Sequence, residues 1–252
     1  MYICAAHAEA DLRSLRRIIH KNPLGILTTG IRSSLYPFLQ SSHIPFILDV
    51  QDRSSETELG CLRGHLARAN PQSKAIIDTL TANPQLNNIL EDEVLVIFSV
   101  AAHHYVTPKF YTETKPTSGK VVPTWNYAAV QAYVKARVYF DSKSEHTSAF
   151  LQQQISDLSH HNETTTMGYT EVDRPTEWKV SDAQERYIKT MKKNVIGIEI
   201  DIKRLEGKFK MSQKLSQGDR EGVVRGFESL NNETSREVSR LVELRGDLKY
   251  QK

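Results

Sequence analysis

The chain has 252 residues, 39% of them hydrophobic and 25% charged, and 33 basic against 30 acidic residues give a formal net charge of +3. This is the composition of a soluble globular protein, and it excludes collagen, a coiled coil, wholesale disorder and, with two cysteines, a disulfide-built secreted domain. No apolar run approaches the ~18–20 residues of a membrane helix, and the amino-terminal residues lack the apolar core of a secretory signal. A reducing, cytoplasmic location is therefore expected.

The first predicted elements are a helix and two strands. Residues 11–21 place leucines and isoleucines on one helical face, and Pro23 ends this helix because the residue before a proline avoids helical backbone. Strands are predicted over 25–29 and 42–49. Pro45 has no amide hydrogen for a ladder, so the second strand is expected to be an edge strand or a bulged one.

A hairpin, a helix and a central strand are predicted next. The polar segment 51–60 reads as a hairpin loop, after which a strand resumes at 61–66. Asn70 suits a helix cap and Pro71 the first helical position, so a helix is predicted to begin there. Residues 93–100 form the most apolar run of the chain and predict a central strand.

The middle of the chain combines an irregular segment with regular elements. Residues 103–127 are aromatic and interrupted by prolines, and so long a loop in a compact domain is usually functional. Strict alternation over 130–140 predicts a half-buried strand, and a helix is predicted over 144–160. Ser181 and Gln184 predict a capping box that opens a further helix.

The last predicted elements end in a charged tail. Residues 194–203 alternate as a strand, 206–208 predict a turn followed by a short strand, and 219–230 predict a helix. The charged residues 231–252 are expected to be a solvated helix or disordered. Strands do not alternate regularly with helices, so the predicted fold class is α+β, an antiparallel barrel or sheet with peripheral helices.

The positive charge is local. Between residues 192 and 214 there are seven Lys or Arg residues against three acids. We interpret this as a solvated strand-and-turn face, with a phosphate-backbone contact as the alternative. The chain carries no nucleotide-binding glycine loop, serine-hydrolase elbow or zinc-protease motif. Its two adjacent histidine pairs, at 103–104 and 160–161, would point to opposite faces of a strand, so no metal site is expected.

Cationic, amide and aromatic side chains gather in three short segments. The cations and amides suit a phosphate or carboxylate, Gly64 would let a ligand approach the backbone, and the aromatic rings offer stacking surfaces. A planar phosphorylated cofactor would use all of them. A basic strand edge beside a packed aromatic loop is the alternative. The residues are His43; Arg63, Gly64, His65, Arg68 and Asn70; and Lys120, Trp125, Asn126 and Tyr127.

The same segments resemble the PaiB-type FMN-binding proteins. The matching stretches are SHIPF (42–46), LRGHLARANP (62–71), YVTPKFY (105–111), GKVVPTWNY (119–127), VSD (180–182), NVIGIEIDIKRLEGKFKMSQ (194–213) and DREGVVRG (219–226). Their order and spacing match from residue 1 to about 227. The resemblance therefore implies one domain over 1–227, with 228–252 as a charged tail outside it.

The resemblance implies a split β-barrel that binds FMN at a homodimer interface, and a label as a negative transcriptional regulator. It places His43, Ile44 and Pro45 along the flavin. The residues it places near the ribityl phosphate are Arg63, His65, Arg68 and Asn70, with Gly64 between them. The residues it places against the flavin or across the dimer are Lys120, Trp125, Asn126 and Tyr127.

Several positions depart from the family's usual pattern. Cys4 and His7 stand where a proline and an aromatic residue are usual, Thr107 and Phe110 replace a serine and a tryptophan, and Lys214 replaces an asparagine. The loop over 51–60 is also longer than in compact members. These changes concern the substrate side more than the flavin side.

Two functions are weighed. The first is a homodimeric FMN flavoprotein that carries out redox chemistry on a small molecule or senses it, with His43, His65 and Tyr127 as catalytic candidates. The alternative is a negative transcriptional regulator that binds DNA, although no helix-turn-helix pattern stands out. A barrel that has lost its cofactor is a third hypothesis, which the intact segments 63–70 and 119–127 oppose.

Overall fold

The computed structural model describes residues 1–172 and 174–250, the last four of these as backbone. The strands are β1 (Ala8–Glu9), β2 (Leu24–Gly30), β3 (Leu39–Pro45), β4 (Ile47–Asp49), β5 (Cys61–Ala67), β6 (Val94–Ser99), β7 (His104–Val106), β8 (Thr124–Tyr139) and β9 (Val195–Lys210). The helices are α1 (Leu12–Lys21), α2 (Pro71–Ala82), α3 (Thr114–Ser118), α4 (Glu145–His161), α5 (Glu185–Lys193), α6 (Gln217–Ser229) and α7 (Glu233–Tyr250).

The chain forms two compact units. Unit 1 contains Met1–Ile18, Phe98–Gln131 and Glu206–Lys252, and unit 2 contains Ile19–Ile97 and Ala132–Leu205. The chain passes from one unit to the other within α1, β6, β8 and β9. The predicted boundary after residue 227 stays a prediction.

Unit 2 is built on a sheet with the strand order β3-β2-β6-β8-β9-β5-β4. The pairs β2–β3, β2–β6, β4–β5 and β5–β9 are antiparallel. Its core side chains alternate along the strands, as a sheet with one buried face requires; they include Leu27, Ile44, Leu62, Val134 and Ile198, each at most 1% exposed. The predicted central strand and hairpin are confirmed, since β6 lies inside the sheet and Asp49 pairs with Cys61 across the loop.

Pro45 behaves as its missing amide hydrogen predicts. The strand predicted over 42–49 is split at Phe46 into β3 and β4, and β3 lies at one end of the strand order. The start of α2 is also confirmed, because the Asn70 side chain accepts a hydrogen bond from the Gln72 amide at 2.9 Å.

The capping box predicted at Ser181 and Gln184 is wrong. Ser181 lies within a short 3-10 turn over Val180–Asp182, and α5 begins only at Glu185. Gln184 is the residue that caps α5, through its extended backbone and without a side-chain bond. The turn intervenes because the Asp182 carboxylate accepts a hydrogen bond from the Lys179 amide at 2.9 Å, which closes the chain one turn before the helix.

The turn predicted at 206–208, in unit 1, is wrong. Strand β9 continues through these residues to Lys210, because β1 pairs with them, Ala8 with Lys208 and Glu9 with Gly207. A glycine is needed at 207, since a Cβ atom there would lie 2.2 Å from Leu15 Cδ2. Gly207 therefore marks a close approach inside a strand rather than a turn.

The charged tail forms a packed helix. Helix α7 contacts α6, and Val238, Leu241 and Val242 are buried at spacings of three and four residues. Near the far end of α7 the Arg245 guanidinium pairs with the Glu9 carboxylate. Of the two expected alternatives the helix is observed, and it is packed rather than solvated, while residues 251–252 lie outside the described residues.

The predicted fold class is confirmed as α+β, with an antiparallel sheet and helices. None of the described helices combines the length and the apolar character needed to cross a membrane.

Candidate functional site

The residues predicted for the site divide between the two units. One group lies in unit 2, on or just after β3 and β5, and the other lies in unit 1, on β8 and in the loop before it. The unit 2 group is His43, Ile44, Pro45, Arg63, Gly64, His65, Arg68 and Asn70. The unit 1 group is Lys120, Trp125, Asn126 and Tyr127.

On β3 the predicted residues face alternately outward and inward. His43 is exposed and Pro45 half-buried, whereas Ile44 is 1% exposed and belongs to the core. Of these three, His43 and Pro45 offer a surface to a ligand. Ile44 could act only through its backbone.

On β5, Arg63 is already paired within the chain. Its Nε and Nη2 donate to the Asp49 carboxylate, and Nη2 also donates to Asp157 Oδ2 at 2.8 Å. The hydrogen bonds to these carboxylates raise the pKa of Arg63. Two carboxylates on one guanidinium leave no excess positive charge for a phosphate, so the structure gives Arg63 a role in joining β4, β5 and α4.

His65 lies on the same face of β5 as Arg63 and carries an unmet hydrogen-bonding atom. Burial lowers the pKa of its imidazole, and its buried Nδ1 has no hydrogen-bond partner among the described residues. On α4, which contacts β5, the fully buried Gln154 also has both amide atoms without partners there. An unmet buried polar group costs about 1–3 kcal/mol, so this face of β5 is suited to accept a hydrogen-bonding molecule.

Gly64 faces the opposite way, into the core. A Cβ atom there would lie 2.9 Å from the Phe46 ring and 3.0 Å from Ile44. This packing is a sufficient reason for the glycine. Its predicted approach to a ligand stays a prediction.

Arg68 and Asn70 hold the chain between β5 and α2. The Arg68 guanidinium donates to the Lys193 and Phe140 carbonyl oxygens, the first at 3.0 Å. Asn70 caps α2 and donates from Nδ2 to Ser42 Oγ at 2.9 Å. Both side chains therefore have structural partners, and contacts from them to a phosphate stay predictions.

In unit 1, Asn126 is an anchor and its neighbours are accessible. Asn126 is 0% exposed and donates to Ser212 Oγ at 3.0 Å. Trp125 is 47% exposed, and its Nε1 donates to His103 Nδ1 at 3.3 Å. Tyr127 is half-buried, and Lys120 lies exposed in the preceding loop.

Around Tyr127 the structure gathers residues that the sequence interpretation missed. The Lys208 ammonium lies 5.4 Å from the centre of the Tyr127 ring and 5.9 Å from that of Tyr2. Lys210 on the same strand donates to Thr124 Oγ1. The signal that could have found these lysines is the basic excess over 192–214, which we interpreted as a solvated face.

Each of these two groups, taken by itself, offers contacts to a ligand. Unit 2 offers the exposed His43 and the unmet Nδ1 of His65, while unit 1 offers the rings of Trp125 and Tyr127 beside ammonium groups. Among the three catalytic candidates, His43 is exposed, Tyr127 half-buried and His65 largely buried with a lowered pKa.

A family model described as "Putative FMN-binding domain" matches residues 1–204 of the chain. A protein of Emericella nidulans is 56% identical over 256 residues, covering both chains in full, and one of Aspergillus fumigatus is 54% identical over 261 residues with the same coverage. Protease synthase and sporulation protein PAI 2 of Bacillus subtilis is 22% identical over 244 residues, covering 96% of this chain and 97% of that one. These matches confirm the resemblance predicted from the sequence.

Solved structures show only remote similarity. A FAD and heme binding protein from Mycobacterium smegmatis matches with 11% identity and a TM-score of 0.44, over 81% of this chain and 73% of that one. A conserved hypothetical protein from Mycobacterium tuberculosis matches with 10% identity and a TM-score of 0.45, over 86% and 95% of the two chains.

Proposed function

Since the chain belongs to the putative FMN-binding domain family, we propose that it is a flavoprotein that binds FMN and uses it for redox chemistry on a small molecule, or to sense one. The observation that carries this proposal is the unmet Nδ1 of His65, a buried hydrogen-bonding atom on a strand predicted to line the cofactor. The polar edge of a flavin ring would supply the missing partner.

The residues present fit the chemistry of FMN. The ring system needs flat apolar contacts and a few directed hydrogen bonds, and the phosphate needs cations. Bound FMN would supply the transfer of a hydride or of single electrons. The protein's own residues would orient the ring, and His65, neutral because burial lowers its pKa, would hold its imidazole hydrogen bond without adding charge.

We also propose that the chain forms a homodimer. Unit 2 exposes large apolar side chains before and on the edge strand β3, namely Leu35, Phe38 and Leu39, which are 74%, 52% and 67% exposed. A second copy covering them would remove apolar surface from water. Sedimentation should show a dimer at micromolar concentration that Leu39→Lys weakens, and a stable wild-type monomer would contradict this proposal.

The visible absorption spectrum tests the proposed cofactor. Purified protein titrated with FMN should show a perturbed flavin spectrum and quenched flavin fluorescence, with riboflavin binding more weakly. Reduction of the complex by NADH or NADPH, followed by reoxidation with candidate acceptors, then tests redox chemistry. An unperturbed flavin spectrum at every protein concentration would contradict the proposal.

DNA-binding regulation is the alternative. Many basic side chains pair with carboxylates, as Arg63, Lys189 and Arg225 do, and paired cations release few counterions on meeting phosphates. Nanomolar, sequence-selective binding to DNA at about 0.15 M salt, where the Debye length is ~8 Å, together with FMN that no donor reduces, would favour the regulator.

A further inference from the structure

One face of β9 in unit 1 carries two lysines whose charge no neighbouring acid on that strand neutralises. Side chains alternate along a strand, so Glu206, Lys208 and Lys210 share a face, while Gly207 and Phe209 are buried on the other. Glu206, the acid of this face, lies 3.2 Å from the Met1 amino group and so neutralises that charge. The Glu206 carboxylate therefore does not neutralise the charges of Lys208 and Lys210.

A third lysine joins them from the turn after β9. Ser212 adopts a left-handed backbone, φ 60°, in the segment that reverses the chain. Lys214 acts on the Cys4 thiol, whose Sγ lies 3.2 Å from His7 Nδ1, and all three lysines act on the buried imidazole of His7. Burial first, and then these three ammonium groups, lower the pKa of His7, so it adds no charge at neutral pH.

The partners of the three lysines are neutral. Lys208 donates to the Tyr2 carbonyl at 2.9 Å, Lys210 donates to Thr124 Oγ1, and Lys214 contacts Cys4. Among the described residues none of the three forms an ion pair with a carboxylate. Three uncompensated ammonium groups around one buried histidine repel one another, and an anion placed among them would relieve that repulsion.

The surroundings indicate which anion. Three cations favour a dianion over a monocarboxylate, and lysine binds phosphate as a point charge. The rings of Tyr2 and Tyr127 flank the Lys208 ammonium, and Tyr2 is 84% exposed. Aromatic surface beside the charges suits an organic group attached to the phosphate.

We propose that Lys208, Lys210 and Lys214 bind the dianion of a phosphate monoester, with Tyr2 and Tyr127 beside the esterified group. The ester has two sources with the same chemistry. If it is the ribityl phosphate of FMN, the site rests on the proposed function and deepens it. If it is a separate phosphate ester, the site stands without the flavin.

Cys4 provides a readout that needs no activity. Desolvation raises the pKa of the thiol, but Lys214 and the backbone amides of His7 and Ala6 together lower it by more, so the net shift is downward. Cys61 is the internal reference, since burial and then Glu199 raise the pKa of its thiol to about 11. Because only the thiolate reacts, Cys4 should be alkylated at pH 7 at least about a hundredfold faster than Cys61.

The experiment measures alkylation of both cysteines by iodoacetamide, mapped by mass spectrometry, with inorganic phosphate, FMN or riboflavin present. A dianion at the site offsets the charge of Lys214 and should slow the alkylation of Cys4 several-fold. Sodium chloride at equal ionic strength should slow it less. The alkylation rate of Cys61 should stay unchanged. Lys208→Gln and Lys210→Gln should each raise the half-protecting phosphate concentration about tenfold. The exposed strand lysine of unit 2, Lys135, serves as the matched control through Lys135→Gln, which should change nothing.

The comparison of phosphate, FMN and riboflavin distinguishes the flavin phosphate from a separate phosphate ester. It also distinguishes failure of the lysine site from failure of the proposed function. Protection by FMN at lower concentration than phosphate, with none by riboflavin, supports the site and assigns it to the flavin phosphate. Protection by phosphate without any spectral sign of FMN binding supports the site and contradicts the proposed function. Phosphate that protects no better than sodium chloride would overturn the site, and so would equal protection in the Lys208→Gln variant.

Discussion

At the scale of single residues, a substitution of His65 distinguishes a role in ligand binding from a role in stability. Its Nδ1 is buried without a partner among the described residues, so the folded protein gains nothing from that atom until a ligand bonds it. His65→Phe keeps a ring and removes the unmet atom. We expect apo-protein stability in urea to stay equal or rise, and FMN affinity to fall about tenfold, the value of one lost hydrogen bond. Unchanged FMN affinity in this variant would exclude His65 from the cofactor site.

For Arg63 we expect the opposite effect on stability. Its guanidinium bridges Asp49 and Asp157, which are partly exposed at 44% and 32%, so solvent screens much of the pairing. Arg63→Met should lower the free energy of unfolding by about 1–2 kcal/mol, because it leaves two carboxylates facing each other.

A double-mutant cycle with Asp49→Asn checks the origin of this loss. The coupling between positions 63 and 49 should be about 0.5–1.5 kcal/mol by urea denaturation. If Arg63→Met instead abolished FMN binding at unchanged stability, the residue would be a phosphate ligand after all.

At the scale of elements, Gly207 joins β9, β1 and α1 in unit 1. A Cβ atom at 207 would overlap Leu15 Cδ2 at 2.2 Å and approach Glu9, and Leu15 is 1% exposed. Gly207→Ala should therefore destabilise the protein by about 1–3 kcal/mol through overpacking. Leu15→Ala should cost about 2–5 kcal/mol through a cavity.

The double variant tests whether the two side chains compete for one space. Because the alanine methyl at 207 would partly fill the space left by Leu15, the combined loss should be clearly less than the sum of the single losses. Additive losses in urea denaturation would show that the strain at 207 lies elsewhere.

The same elements show what the sequence can predict. Periodicity found β8 and α4 because each buries one regular face, and β6 was found as the most apolar run of the chain. It failed at Gly207 and at Ser181 because strand continuation and helix start there depend on partners distant in sequence or on a preceding turn.

The sequence predicted which residue types the candidate site contains, but not which of their side chains can contact a ligand. Arginine, asparagine and lysine all suit a phosphate, yet Asn126 is buried on Ser212 and Arg63 is paired with carboxylates. Lys208 and Lys210 have neutral partners. Only the fold decides which cation keeps its charge for a ligand, since the pairing residues lie far apart along the chain.

At the scale of the whole molecule, histidines should set the acid limit of stability. Burial lowers the pKa of His7, His20, His65 and His161 in the folded chain, so the unfolded chain binds protons more readily near its ordinary pKa of about 6.5. Stability is therefore fully present above pH ~6.5 and is lost as pH falls below it, because unfolding takes up protons in that range. The urea midpoint of apo-protein should fall steadily from pH 7 to 5. His65→Phe removes one of the four groups and should give a shallower slope, whereas a flat wild-type profile over this range would show that these imidazoles titrate alike in both states.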